Sequence, residues 1–482
     1  FPFVVRAVMI KKLGIDYLGV SSLFASILGI LALADLGFSS AAAYFLYKPI
    51  VEGNQQEINA LLLFFRRIFR IVGLVILVFG LGIMPFLENL VSGTYPSDIN
   101  IYIVYLLQLF STVSGYFFFS YKSLILSANQ RNDVESIVYT ASNAIMYVLQ
   151  IALLLIFSNY YTYAVVLPAF SVITNILRSV VADKLFPSYK CEGEITEELK
   201  REIYKRVAAL FGHKMNMKVI QTADSVVLSA ILGLAILGKY SNYFYILSAL
   251  AVVTSVITEN LRPIVGNSLI CVDRDQNIKT LKNFLFIYSW IIGFCCVCLV
   301  CLYQNWMVIW VGADNLLPFS TVILFAIYFW IWKIGDVFML YRDAGGLWIR
   351  VKFYPYVSAA LNLITNIILV KYIGVNGMII STVLTLLCIS LPCEIHALFK
   401  YLFEMPARKT VFLVLKYTVI ATLCTLITYM ICIPIGENTL ISFIERSAIC
   451  FILPNLIYFL LFRKTSEFAY FKDFLVSKIK RK

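Results

Sequence analysis

Lys214 and Lys218 stand four residues apart inside a long apolar run, 206–232, so one helix would set both ammonium groups on one face. Paired cations in a low-dielectric setting are what a phosphate or diphosphate requires. The same run carries His213, Met217, Ile220 and Asp224 on one stripe, with His213 and Asp224 ~16 Å apart along the axis. An imidazole and a carboxylate on a cavity wall can take up and release a proton or Na⁺ and so couple movement to an ion gradient. The alternative is an Asp224 that hydrogen-bonds a neighbouring helix and fixes packing. Arg6, Arg178 and Lys333 are further cations in apolar runs, and for each, snorkelling to headgroups competes with a cavity role. Glu259 and Arg262 are three apart, as are Lys333 and Asp336, and each pair could neutralise itself. Asp35 and Gly37 fall in "ADLGFSS", a Gly/Ser cluster that would bend its helix. "YRDAGGLW" puts Arg342 and Asp343 before Gly345 and Gly346, a gate or a hinge where glycine frees the backbone to turn.

The elements that must hold these groups are membrane helices. The chain is 61% hydrophobic and 14% charged, with mean hydropathy +0.86, whereas a soluble chain is nearer half apolar and a quarter charged. Continuous apolar runs of about 20 residues favour helices over the alternating strands of a barrel. Such runs lie near 1–10, 17–47, 68–87, 101–121, 135–157, 162–182, 206–232, 238–266, 284–303, 318–340, 354–371, 375–398, 411–433 and 441–462, fourteen in all. The chain opens "FPFVVRAVMIKKLG" without Met, as if the first helix were truncated and no cleavable signal peptide preceded it.

Alternate connections confirm the count by charge. One set, with the tail, holds 28 Lys and Arg; the other is almost empty. Basic loops face the cytoplasm, which puts both termini on the inner side. Lys11 and Lys12, with Arg6, break this rule on the outer side and so call for a role at the cavity mouth or against headgroups. Residues 52–70 read as an amphipathic helix at the inner interface, 184–206 as a solvated linker helix, and 464–482 as a basic tail resting on anionic lipid. The eleven cysteines, with only two histidines in the chain, read as buried packing, and no metal site is expected. No P-loop and no nucleophile with a base appear, so no enzyme, nucleotide cofactor or nucleic-acid partner is expected.

"KKLGIDYLGV" at 11–20 has an echo, "AILGLAILGKYSNY": Leu13-Gly14 and Gly19 recur as Leu232-Gly233 and Gly238, and "KYIGVNGMI" at 371–379 is a fainter copy. Glycine suits any tight turn, but equal spacing six segments apart argues for two related halves in the same orientation, with a cavity between them. Together with "RPIVGN" and, above all, "YRDAGGLWIRVKFYPYVSAALNLITNIILVKYIGVNGMIISTVL", these stretches make the chain resemble the bacterial polysaccharide flippases. These are the Wzx-type O-antigen and capsule repeat-unit translocases of the multidrug/oligosaccharidyl-lipid/polysaccharide exporter superfamily.

The resemblance implies an all-α fold of about 14 helices, two six-helix lobes in a V around a central cavity plus two C-terminal helices. In this chain these would be 1–183 and 207–398, joined by 184–206, then the pair at 399–463 and the tail. It implies alternating-access movement of an undecaprenyl-diphosphate-linked oligosaccharide from inner to outer leaflet, with a polysaccharide polymerase and a chain-length regulator as partners. Arg6, Lys11, Lys12, Arg178, Lys214, Lys218 and Lys333 are the candidates for the phosphates; Asp224, His213 and Glu259 are those for H⁺ or Na⁺ coupling. A drug/cation antiporter is the rival within the superfamily, and the basic excess favours an anionic substrate. A membrane polymerase or ligase is the rival outside it, disfavoured by a longest outer loop of about 15 residues at 304–318.

Overall fold

The computed structural model describes residues 1–35, 38–93, 95–119, 121–351, 353–436 and 439–479, without the side chains of 34, 35, 39–41, 43, 208–221, 349 and 473–479. The described residues are helical throughout, with no strand. The helices are α1 (Pro2–Lys12), α2 (Ile15–Leu31), α3 (Phe38–Glu52), α4 (Gln55–Ile83), α5 (Ile101–Phe117), α6 (Tyr121–Ala128), α7 (Asn132–Phe157), α8 (Tyr160–Leu185) and α9 (Glu197–Leu232). There follow α10 (Leu234–Cys271), α11 (Arg274–Val311), α12 (Phe319–Ala344), α13 (Tyr354–Thr385), α14 (Leu391–Tyr401), α15 (Arg408–Cys432), α16 (Leu440–Phe462) and α17 (Ser466–Ile479). Nine spans among the described residues are long and apolar enough to cross a membrane, and the α5–α6 pair, bent by 52°, makes a tenth. The protein is a multi-pass, all-α membrane protein.

Helix ends follow local chemistry. Asn100 accepts from the Tyr102 and Ile103 amides, and Asn159 from the Tyr161 amide. Thr439 and Ser442 close α16 with a reciprocal capping box. The run at 17–47 is interrupted where a bend is expected: α2 stops at Leu31 and a 3₁₀ turn covers Ala32–Asp35. Residues 354–401 fold back on themselves. Ile373 and Gly374 leave helical geometry, Gly374 at φ +60°. Ser358 meets Ser390 at 3.1 Å, Asn362 donates to Thr382 at 3.3 Å, and Ser381 donates to the Asn362 carbonyl at 3.0 Å. These are cross-contacts of an antiparallel hairpin, so the two expected runs are its two arms.

The structure places three local stretches. The amphipathic stretch at 52–70 leads without a break into the following span: residues 55–70 are the first turns of α4, because no proline or glycine interrupts the run before Gly73. The linker helix is likewise the start of α9, which continues unbroken from Glu197. The aromatic side of the tail is taken up by protein: the Phe468 and Phe471 rings lie 6.1 and 5.8 Å from Trp290 of α11.

The contacts gather into two compact units, Phe1–Gly238 and Lys239–Lys482. The first holds both copies of the glycine repeat. Gly14 and Gly233 each start a turn at positive φ, +116° and +86°. A Cβ on Gly19 would fall on the Leu234 carbonyl, and one on Gly238 would lie 2.6 Å from the Ile15 carbonyl. Ile15 and Leu234 are related by the same 219-residue offset as Gly19 and Gly238. Each copy therefore makes the same contact to the other, as in an isologous interface. Close approach of backbone to backbone is what both second glycines permit.

Candidate functional site

In the second unit, α12 carries two layers of buried charge. Lys333 is wholly buried; its ammonium donates to Asp336, to Ser255 Oγ at 2.9 Å and to the Ala251 carbonyl at 3.3 Å. The Tyr288 hydroxyl of α11 also contacts Asp336. An ammonium has three donors, and here all three find acceptors on α10 and α12. The pair that three-residue spacing suggests therefore exists, and Lys333 could meet a phosphate only by releasing Asp336.

Two turns on, Arg342 forms the centre of a second network. Its guanidinium donates to Glu394, to Tyr354 Oη at 3.1 Å and to Asp343 at 2.7 Å, and Tyr354 donates to Glu394 as well. Arg262 joins at the rim, 2.9 Å from Glu259 and 3.9 Å from Asp343. Glu259 keeps 63% of its side chain exposed and is held by this local pair. Glu394, 3% exposed, was not among the sequence candidates, although it is an acid inside an apolar run. Tyr354 carries no sequence signal of its own. Gly345 ends α12 and Gly346 takes the left-handed conformation, φ +65°, so the chain turns directly after the network.

In the first unit, Arg178 of α8 lies 3.7 Å from Glu135 of α7, donates to Asn175 at 3.4 Å and sits 5.3 Å over the Tyr139 ring. It is thus partly enclosed by protein. Lys122 is buried in α6 and pairs with Asp183. Arg6 is half-buried in α1, close to Tyr163. Lys11 and Lys12 are exposed in the last turn of α1, where cations complement the helix dipole, and no ion pair to them occurs among the described residues. Asp224 is buried in α9 and engaged by a neighbour. The side chains of His213, Lys214, Lys218 and Asp35, and all of Gly37, lie outside the described residues. The structure thus brings Arg342 and Asp343 together with Glu259 through Arg262.

No protein-family model and no curated relative matches the chain. Solved structures do. The chain is similar to an inward-facing multidrug resistance MATE family transporter of the MOP superfamily, with TM-score 0.66 and 12% identity over 82% of this chain and 93% of that one. It is similar to the lipid II flippase MurJ in an inward closed conformation, with TM-score 0.65 and 15% identity over 96% of this chain and 98% of that one. An outward-facing MATE transporter aligns at TM-score 0.55 and 14% identity over 82% and 90%. The chain shares the fold of these solved membrane proteins. Paired intramembrane charges on tightly packed helices are the kind of element such a fold can use to bind an anion, carry an ion or lock a state.

Proposed function

We propose that the protein is a flippase that carries an undecaprenyl-diphosphate-linked oligosaccharide repeat unit from the inner to the outer leaflet of a bacterial cytoplasmic membrane, for surface polysaccharide. The observation that carries this reading is coverage. The lipid II flippase matches 96% of the chain, whereas the multidrug transporters match 82%. The flippase alignment runs over nearly the whole of both chains, 96% of this one and 98% of that one. The residues quoted above for the Wzx-type resemblance and the basic excess agree with a substrate bearing two phosphates.

In this reading 1–183 and 207–398 are the two lobes, both termini are cytoplasmic, and α15 and α16 are the added pair. Arg6, Lys11, Lys12 and Arg178 are the accessible cations for the diphosphate, with Lys214 and Lys218 on α9 as further candidates. Asp224 carries the coupling to H⁺ or Na⁺, and Arg342, Asp343 and Glu394 close one end. A polysaccharide polymerase and a chain-length regulator would take up the product. The second reading, an ion-coupled drug antiporter, rests on the TM-score of the MATE neighbour, 0.66 against 0.65 for the flippase.

Reconstitution separates the two. Proteoliposomes carrying a polyprenyl-diphosphate oligosaccharide in both leaflets are probed from outside with a sugar-oxidising enzyme that cannot cross the bilayer. Conversion of the whole pool, rather than half, is expected. Half conversion together with gradient-driven efflux of a cationic dye would replace the flippase by the antiporter.

A further inference from the structure

Three cysteines remote in sequence meet in the second unit. Cys301 of α11, Cys432 at the end of α15 and Cys450 of α16 are buried, and their Sγ atoms all lie within 4.8 Å of one another. Cys298, one turn from Cys301 on α11, contacts Cys450 as well. Packing alone does not ask three helices to direct sulfur at one point. Leucine, alanine or valine fills such a space at least as well. A disulfide would use two of the sulfurs and leave the others unexplained.

A tetrahedral thiolate site fits the geometry. Zn–S bonds of about 2.3 Å put sulfurs roughly 3.8 Å apart, inside the observed limit. The charge fits too. A divalent cation with three thiolates carries a net charge of −1, which is costly in an apolar interior unless it is balanced. Arg446 stands four residues before Cys450, hence on the same face of α16 and ~6 Å along the axis. It is buried, and its guanidinium donates to the Ile435 carbonyl at 2.6 Å. The same corner is tied by the Asn305 amide, which donates to Ser442 at 3.3 Å.

We propose that Cys301, Cys432 and Cys450 bind a thiophilic divalent d¹⁰ cation of the Zn²⁺ type through three of its four tetrahedral positions, which clips α15 and α16 onto α11. On binding, three thiols each lose a proton to solvent and no redox change occurs.

The test uses the full-length protein in detergent, purified under reductant. Its zinc content is measured, then the reduced protein is titrated with Cd²⁺ and the thiolate-to-metal charge-transfer band is followed. One equivalent is expected. Cys450→Ser and Cys301→Ser should lower the affinity at least about tenfold. Cys424→Ser, a buried cysteine of α15 outside the cluster, should leave it unchanged. Cd²⁺ should also protect the cluster from alkylation, a readout that needs only the unaltered protein if a variant does not fold. Absence of a band, a band that survives in Cys450→Ser, or a thiol count that is two short until reductant is added would each overturn the site.

Discussion

In the first compact unit Arg178 keeps 19% of its side chain exposed and Glu135 keeps 26%, at a separation of 3.7 Å. In the second, Arg342 and Glu394 keep 8% and 3% and are in direct hydrogen-bonding contact, and Lys333 keeps none. Both arrangements are ion pairs on apolar helices, yet they do different physical work. A pair that solvent or substrate can reach gives up little when a phosphate replaces the carboxylate, because neither charge is left bare. A fully enclosed pair cannot open without uncovering a lone charge, so its members act together or not at all. On the proposed function a pair such as Arg178–Glu135 presents its cation to a ligand, while the Arg342 and Lys333 networks hold helices α10, α12, α13 and α14 in one arrangement.

The comparison breaks most visibly at Arg342. Arg342→Ala strands Glu394 in an apolar surround, a loss of about 3–5 kcal/mol, enough to remove monodisperse protein from detergent extracts. Arg342→Met combined with Glu394→Gln removes both charges and should recover most of the melting temperature. Thermal unfolding in detergent measures it, and a single variant as stable as the double would show that the pair is not enclosed. Lys333→Met comes next. Asp336 retains 17% exposure and a contact to Tyr288, so a smaller cost of about 2–3 kcal/mol is expected.

How far these networks could be read from sequence depended on range. The α12 pair Lys333–Asp336 is local, three residues apart, and its spacing announced it. Arg342–Glu394 and Lys122–Asp183 join residues 52 and 61 positions apart, and no spacing rule reaches that far. The two glycine copies were legible for the opposite reason: repetition 219 positions on is a long-range signal written in the sequence itself, and the reciprocal contact of Gly19 and Gly238 is its consequence. The convergence of Cys301, Cys432 and Cys450 had no such trace, since cysteine in an apolar run reads as one more small apolar residue.

In the first unit the ordering of effects should reverse. Arg178→Gln frees Glu135, which is already a quarter exposed, so stability should fall by only about 1 kcal/mol or less. Flipping in proteoliposomes should drop by about tenfold, because a charge-assisted contact to phosphate is worth roughly 1.5–3 kcal/mol. A variant that loses stability but flips at the normal rate would assign Arg178 to packing and erase the distinction between the units.

The smallest change in stability is expected at Lys11 and Lys12. Both are exposed, so Lys11→Ser with Lys12→Ser should move the melting point very little, within the roughly 0.5 kcal/mol usual for surface sites. Their contribution is a field at one end of α1, and a field is read by salt. With the unaltered protein, binding of a diphosphate-bearing substrate should weaken as ionic strength rises and the screening length falls from about 10 Å at 0.1 M to about 3 Å at 1 M. The double variant should bind more weakly at low salt and show a flatter dependence, with the two curves meeting at high salt. Curves that coincide throughout would leave these lysines to the helix dipole and the headgroups, and would confine the diphosphate to cations deeper in the unit, Arg6 and Arg178 first.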